Sequence, residues 1–391
     1  MGLPNVNIVH VGGQLGRTIP VDDALAGLVL SGVAVVGKIA LSEPKKIFDL
    51  TGMDDLGIIE ATNPLAFKEI KAFYKKAGEG AALWIMLYSD ATTLADVCDK
   101  ANPLARKLLD AAEGKIRLLG VNKTLPVGWV KDNDECIEAD VLQAKINLKE
   151  LIAEYRDAHK PVRALLPGLG FEKAKVDDLH NLREDNEPEV GIVMWSDEVS
   201  GKPAVGHVLG KAASLPVQRN IGRVKDGHEG LLTAYYPDGT PIADMEANWG
   251  DIYDKGYISL RKIYGRSGFF HTDDPTAAPL DNDFCSLSRG RVIDKAHVIA
   301  YNVLSGEIND DVDTDDNGKI PAALIGYYQE EVINAIKKNM KGNISGVDFY
   351  IDPNQDILAT DEMNTVLKIR PKGQLKWINT ELMFDNPFQS A

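Results

Sequence analysis

Short, continuously apolar runs alternate along the first half of the chain with segments whose apolar residues recur at helical spacing. Such runs are typical of strands buried on both faces of a parallel sheet. Strands that alternate with helices imply right-handed crossovers and helices on both faces. The pattern therefore predicts an open, mostly parallel α/β domain over residues 21–230. Its predicted strands are Ala26–Val36, Ala81–Tyr88, Ile116–Val121, Val162–Leu166 and Val190–Trp195.

The helices between these strands carry their own boundary signals. Asn63 can cap the first helix, Pro64 suits its first turn, and Gly78 is a natural stop. A second helix is predicted over residues 94–112. A third places Leu148, Leu151, Ile152 and Tyr155 on one apolar stripe. Residues 231–284 break the alternation and predict connecting extended segments, with short strands at Tyr257–Tyr264 and Gly268–His271.

The last third of the chain predicts a separate α+β unit over residues 285–374. A helix begins near Arg289, an acid-rich loop follows, and a second helix covers Pro321–Lys341. Three β segments come next, and the last is Leu375–Phe384. The inward faces of the two helices are predicted to hold Val292, Ala296, Ile299 and Val303, and Ile325, Tyr328, Val332, Ile336 and Met340.

Both ends of the chain carry isolated apolar segments of β character. The N-terminal arm, residues 1–20, is interrupted by Gly12 and Gly13, and a C-terminal strand arm covers residues 375–391. Free strands expose unpaired backbone groups, which another chain can pair with. We therefore predict contacts between copies at both arms. The interface residues are Val6, Ile8, Val9 and Val11 in one arm, and Trp377, Ile378, Leu382 and Phe384 in the other.

Composition restricts the partners. The 391 residues carry a net charge of −15 with no stripe of Lys or Arg. This argues against nucleic acid and anionic membranes as partners. Three cysteines without paired spacing indicate synthesis under reducing conditions. The N-terminus lacks the features of a signal peptide, and no apolar run is long enough to cross a bilayer. We expect a soluble protein made in the cytosol.

Catalytic signals are weak. Ligands of open parallel sheets bind at the carboxyl ends of the strands, which here carry Ser89-Asp90, Asn122-Lys123, Pro167-Gly168 and Ser196-Asp197-Glu198. Gly168 and Gly170 begin a dinucleotide-type loop, but its third glycine is Lys173, which favours a plain turn. We predict no enzyme activity, no catalytic residue and no cofactor. An α/β enzyme that binds a nucleotide or small molecule, and a strand-exchanged soluble binding module, remain the alternatives.

Two loops have oxygen-rich or mixed metal-ligand composition. His271-Thr272-Asp273-Asp274 has the composition of a metal site, and a polar loop is the simpler interpretation. Residues 313–318 match the first half of a calcium loop, with Asp313, Asp315 and Asn317 as oxygen ligands and Gly318 at the turn. The bidentate Glu expected at position twelve is replaced by Leu324. An Asp/Asn-rich turn therefore competes with a weak calcium site.

Several short motifs follow one another in the C-terminal region. They are Asp294 within its apolar helix, Asn317-Gly318-Lys319-Ile320, Tyr327–Ile336, Gly346-Val347-Asp348, Asp352-Pro353-Asn354-Gln355-Asp356, Ile369-Arg370-Pro371-Lys372-Gly373 and Trp377-Ile378. Upstream lie Gly256-Tyr257-Ile258, Gly268-Phe269-Phe270 and Ala26-Gly27-Leu28-Val29. The order of these motifs resembles that of contractile tail sheath proteins, best over residues 285–387. This family includes the sheaths of phage tails, tailocins and related contractile injection systems.

The resemblance implies a structural subunit that forms a helical homopolymer around an inner tube. In such proteins the terminal arms reach neighbouring subunits, and residues 21–230 correspond to the variable domain. The implied partners are other copies of the chain, the inner tube protein, and baseplate and tail-terminator or cap proteins. The implied location is the bacterial cytoplasm, followed by a virion tail or injection particle.

Contraction of such a polymer requires hinges and a surface that faces the tube. Gly12, Gly13 and Gly373 are our candidate hinges, because glycine tolerates wide φ/ψ changes; ordinary turns are the alternative. Lys337, Lys338 and Lys341 cluster at the end of the second C-terminal helix of an acidic chain. They are candidates for contact with the tube, although cations also stabilise a helix C-terminus without any partner.

Overall fold

A computed structural model describes residues 23–125, 128–130, 132, 134–199 and 201–384. The predicted contact residues Val6, Ile8, Val9 and Val11 lie outside the described residues, as do the predicted hinges Gly12 and Gly13. Among the described residues, no helix is both long enough and apolar enough to span a lipid bilayer.

Six strands form the central sheet, in the order β2-β3-β1-β4-β5-β6. Every neighbouring pair is parallel except β2 and β3, which run antiparallel. All residues of β4, β5 and β6 are buried, as expected for a sheet covered on both faces. The predicted α/β fold class is confirmed. The strands are β1 (Ala26–Gly32), β2 (Lys45–Ile47), β3 (Leu83–Ser89), β4 (Leu118–Asn122), β5 (Arg163–Pro167) and β6 (Val190–Val193).

The helices of this domain are α1 (Leu50–Asp55), α2 (Pro64–Ala77), α3 (Leu94–Cys98), α4 (Pro103–Ala111), α5 (Ala139–Asp157), α6 (Val205–Ser214) and α7 (Trp249–Asp254). The single helix predicted over 94–112 is wrong, because Asp99 is extended and Pro103 starts a new helix capped by Asn102. Asn63 precedes α2 but does not cap it through its side chain. Its amide instead bonds both backbone groups of Val33, at 2.8 and 3.1 Å, and so ties α2 to the end of β1.

Residues 231–284 are mostly irregular but well packed. The two predicted strands are present but shorter than predicted: β7 covers Leu260–Arg261 and β8 covers Phe270–His271. Ile258 pairs with the edge of β6, since its N–H bonds Ile192 O and its carbonyl accepts from Met194 N, each at 2.9 Å. Tyr236, Tyr257 and Phe269 enter the same core as the central sheet. This segment therefore covers an exposed sheet edge, which explains its extended conformation.

The C-terminal module has its own core. It comprises α8 (Leu287–Leu304), α9 (Ala322–Asn339), β9 (Ile344–Ile351), α10 (Ile357–Thr360) and β10 (Thr365–Pro371). The predicted inward residues Val292, Ala296 and Ile299 of α8 are buried, and Val303 is packed against that core. The predicted inward face of α9 is buried along its whole length, from Ile325 to Met340. Gly342 ends this helix at a positive φ of 84°.

Close packing of α6 against α2 depends on two glycines. A Cβ atom at Gly206 would lie 2.2 Å from the carbonyl oxygen of Glu69, and one at Gly210 would lie 2.4 Å from that of Phe73. Both neighbours are backbone atoms in a helix, so they cannot move aside independently.

We therefore expect Gly206→Ala and Gly210→Ala each to lower the free energy of unfolding by about 1–3 kcal/mol or more. Gly326→Ala in α9 is the matched control, because its Cβ meets nothing within 4 Å. That substitution should raise the free energy of unfolding by about 0.4–1 kcal/mol. Urea denaturation followed by circular dichroism measures all three. Equal stability of the α6 variants and the wild type would refute the packing argument.

Candidate assembly site

The small sheet of the C-terminal module is open along both edges. Strands β9 and β10 pair antiparallel, with Thr365 opposite Ile351 and Arg370 opposite Gly346. Within the described residues neither strand has a third partner. One face of the sheet packs on the helices through Phe349 and Ile351. An isolated pair of strands is marginally stable in water, so its open edges are natural places for further strands to add.

Residues 375–384, beyond β10, are rich in apolar side chains that are exposed to solvent. We call residues 375–384 the C-terminal arm. Six large apolar side chains in this arm are at least 68% exposed. They are Leu375, Trp377, Ile378, Leu382, Met383 and Phe384. An exposed apolar segment of this density is typical of an interaction site.

The third β segment predicted at Leu375–Phe384 forms no ladder within the described part of the chain. A strand requires a hydrogen-bonded neighbour, and the described residues place none beside the arm. Gly373 lies just before the arm, and a Cβ atom at this position would meet no other atom within 4 Å. Its role as a hinge, and the arm residues Trp377, Ile378, Leu382 and Phe384 as contacts, stay predictions.

The three lysines near the end of α9 form an exposed cluster. We call Lys337, Lys338 and Lys341 the lysine patch. The salt bridges found among the described residues do not involve them. They are neighbours in sequence of Ile336 and Met340, whose buried side chains hold the end of α9 in the core of the C-terminal module. The patch is therefore a positively charged surface without an ion-pair partner in the described part of its own subunit.

The acidic loop between α8 and α9 is organised by its own backbone. The Asp315 carboxylate accepts hydrogen bonds from Asn317 N at 2.8 Å and Lys319 N at 3.0 Å. These bonds lower the pKa of Asp315 below its ordinary value. Gly318 adopts a φ of 75°. The loop therefore has the geometry of a turn. Among the described residues, no three His, Cys, Asp or Glu side chains converge as they would around a metal ion.

Side chains at the carboxyl edge of the central sheet hold the fold together. Lys68 forms ion pairs with Asp197 at 3.0 Å and Glu198 at 2.9 Å, and donates to the carbonyl of Lys202 at 2.8 Å. Asn122 donates to Pro203 O at 2.8 Å. An open cavity of about 560 Å³ adjoins Lys68 and these acids. Lys68 and Asn122 thus bind neighbouring residues of the same chain.

A buried polar cluster was not found from the sequence. Glu229 is 1% exposed, accepts from His207 at 3.0 Å and contacts His271 Nδ1 at 2.9 Å. Lys76 and Lys211 supply the opposing charges. Burial lowers the pKa of His207 to about 4, so this imidazole is neutral near pH 7. The cluster fastens residues 229–271 to α2 and α6. Its members are far apart in sequence and follow no motif, which is why sequence patterns could not reveal it.

Two family models match consecutive parts of the chain. A family model described as "DUF2586, N-terminal domain" matches residues 3–275, and one described as "DUF2586, C-terminal domain" matches residues 283–389. The chain belongs to the DUF2586 family. Comparison with curated proteins finds no match.

Solved structures with the same fold come from contractile systems. The contracted helical sheath of the anti-feeding prophage is 12% identical, with a TM-score of 0.63 over 98% of this chain and 100% of that chain. The contracted PVC sheath complex of an extracellular contractile injection system is 11% identical, with a TM-score of 0.60 over 100% and 99%. A sheath tail protein from Desulfitobacterium hafniense is 12% identical, with a TM-score of 0.53 over 94% and 100%. The DUF2586 chain therefore has the fold that the resemblance implied.

The two DUF2586 regions are joined by a buried ion pair. Arg163 on β5 bonds the Asp294 carboxylate on α8 through two nitrogens, at 2.6 and 2.7 Å. Both residues are at most 7% exposed. Burial lowers the pKa of Arg163, but the charge of Asp294 more than offsets this and raises it overall. Arg291 adds a bond to Ala212 O at 2.8 Å. The C-terminal module is thus fixed to the α/β domain.

We expect Asp294→Ala to lower the free energy of unfolding by about 3–5 kcal/mol, because it leaves the Arg163 charge buried and unpaired. The double variant Arg163→Met with Asp294→Leu should lose clearly less, since it leaves no buried charge. Chemical denaturation of the three proteins tests this. A double variant less stable than Asp294→Ala would contradict the assignment of the loss to an unpaired charge.

Proposed function

We propose that this chain is the structural subunit of a contractile sheath. Copies polymerise helically around an inner tube, and the polymer contracts by rigid-body rearrangement of its subunits to drive the tube through a target envelope. The inner tube protein, baseplate proteins and tail-terminator or cap proteins are the proposed partners. The subunit is made in the bacterial cytoplasm and acts in a virion tail or injection particle.

One observation carries the proposal: an exposed apolar arm follows directly on a small sheet with two open edges. The arm offers unpaired backbone groups and six exposed apolar side chains. Within the described residues, β9 and β10 pair only with each other, so each has one edge without a strand partner. An arm that adds to the sheet of another copy forms hydrogen bonds with the open sheet edge and also buries its own apolar side chains. The sheath fold over the whole chain supports the same assembly.

The energetics favour a polymer over a pair of subunits. Each added backbone hydrogen bond contributes about 0.5–1.5 kcal/mol, and each well-buried apolar side chain about 1.5–3 kcal/mol. Ordering the arm costs about 1–2 kcal/mol per residue. For about six residues these terms nearly cancel, so one donated strand binds weakly. Many strands closed around a ring bind strongly, which predicts slow nucleation and a stable polymer.

Contraction is possible because each subunit has a rigid body and arms that connect this body to its neighbours. Head-to-tail contacts that do not close on themselves generate helical filaments. The Arg163–Asp294 pair and the contacts of Arg291 keep the two regions of each subunit together. Subunits therefore rotate as units while the arms keep them connected. The energy comes from the lattice itself, so the chain needs neither a nucleotide nor a catalytic residue.

The arm variant Trp377→Asp with Ile378→Asp should fold normally and fail to polymerise, because charges cannot enter the apolar face of the receiving sheet. Leu232→Asp is the matched control, since Leu232 is 99% exposed in the connecting segment, far from the arm in sequence. Circular dichroism reports folding, and negative-stain electron microscopy reports hollow cylinders. Cylinders should form from the wild type and the control only.

Two results would contradict the sheath proposal. Normal cylinders from the arm variant would show that the arm is not required for assembly. A wild type that forms only small closed oligomers would favour the alternatives, an α/β enzyme or a strand-exchanged binding module.

The lysine patch provides a separate prediction about the tube. Reversal of all three charges to Glu should abolish binding to the inner tube and leave empty sheaths intact. Each lost surface ion pair costs about 0.2–1 kcal/mol, and the loss repeats at every subunit. A control with Lys46, Lys107 and Lys173 changed to Glu carries the same net charge elsewhere on the exposed surface. Co-sedimentation of sheath with tube measures binding. Unchanged co-sedimentation of the patch variant would show that the lysine patch does not contact the tube.

A further inference from the structure

Two adjacent carboxylates lie buried beside residues 374–376, which we call the root of the C-terminal arm. Asp273 is 3% exposed and Asp274 is 1% exposed. They follow β8 and precede α8. Burying one carboxylate is unfavourable, and burying two side by side is more so, unless each finds a proton, a cation or hydrogen-bond donors.

Asp274 is satisfied within the folded body. Its carboxylate accepts from Ser288 N at 3.0 Å, at the start of α8, and from the Asn220 amide at 2.7 Å. Burial and the charge of Asp273 raise the pKa of Asp274 to about 8. Of the two carboxyl groups, Asp274 therefore binds a proton more readily, and Asp273 is the one that stays negatively charged.

Asp273 obtains its cation from the arm. Lys376 Nζ forms an ion pair with the Asp273 carboxylate, and the Lys376 side chain is 24% exposed. Tyr253 OH lies 3.4 Å from the same carboxylate. Burial raises the pKa of Asp273, but Lys376 and the donated hydrogen bonds outweigh this and lower it overall. The pair is thus charged, and it is partly shielded from solvent.

A second contact holds the same stretch of chain. Gln374 donates to Ser288 Oγ at 3.0 Å and accepts from Asn220 at 3.3 Å. Leu375, between the two anchored residues, is 89% exposed, and Trp377 is 68% exposed. Alternate side chains therefore contact the body and the solvent, which is the periodicity of an extended strand. The root is held in an extended conformation before any neighbour is present.

We propose that Asp273, Asp274 and Asn220 form a docking site for the arm root, in which Lys376 is the positioning residue that sets the direction of residues 377–384. This rests on the proposed strand donation. While the site is occupied, the movable part of the arm begins at Trp377. Gly373 turns freely only when the site opens. The site thus presents the arm to a neighbour in one orientation and reduces the ordering that donation requires.

The direct test measures the spread of arm positions in the single subunit. The natural cysteines Cys98, Cys136 and Cys285 are buried, so spin labels can be attached to added cysteines at Thr380 and at the exposed Lys225. Electron–electron double resonance then gives the distribution of distances between the labels. The background carries Trp377→Asp with Ile378→Asp, which keeps the subunit from polymerising.

We expect a narrow distribution with Lys376 or Lys376→Arg, and a distribution at least about twice as broad with Lys376→Met, because residues 375 and 376 regain backbone freedom. Lys372→Met is the matched control, since Lys372 is exposed and lies just before the root. With the natural arm sequence, Lys376→Met should also slow nucleation about tenfold, as followed by light scattering. If Lys376→Met does not fold, Gln374→Ala is measured in its place.

Equal widths for Lys376→Met and Lys372→Met would overturn the docking site, whether or not the protein assembles. A distribution broadened by Lys376→Met, together with a wild type that never forms cylinders, would support the docking site and reject the sheath proposal. The two ideas are therefore tested independently.

Discussion

A β-strand without a neighbour leaves its backbone groups unpaired, and this constraint governs the C-terminal module. Strands β9 and β10 pair only with each other in the described chain, and the arm beyond them is exposed and apolar. Neither arrangement is favourable in an isolated subunit, because open edges and exposed apolar side chains both promote association. Both would become favourable if copies shared strands, as in the proposed polymer.

The proposed contractile polymer also needs subunits that move without deforming. Different parts of the subunit meet the need for rigidity and the need for movement. Arg163–Asp294, Lys295–Asp23 and the bonds of Arg291 to the end of α6 fix the C-terminal module to the α/β domain. The Glu229 cluster and the close α2–α6 contact hold the domain itself together. Mobility is left to the arm, and its root is held by Lys376 and Gln374. A rearrangement of the lattice can therefore change contacts between subunits while each subunit keeps its shape.

Local patterns predicted the parts of the fold that depend on local physics. Continuous apolar runs indicated the central strands, and the inward faces of α8 and α9 followed from helical spacing. The break between α3 and α4 was not predicted, although Pro103 indicates it, because apolar residues recur at helical spacing on both sides of the break. The partner of Asp294 and the role of Asp273 could not be predicted, since Arg163 and Lys376 are more than 100 residues away. For the same reason the apolar pattern predicted the arm but not the proposed docking site for its root.

Hydrogen–deuterium exchange of the arm amides tests the central claim most directly. In the single subunit, residues 377–384 have no ladder partner within the described chain and should exchange at rates close to those of an unfolded peptide. In the polymer, alternate amides should become strongly protected, by about a hundredfold or more, because they donate to a strand of another copy. Equal exchange of these amides in subunit and polymer would contradict strand sharing as the basis of assembly.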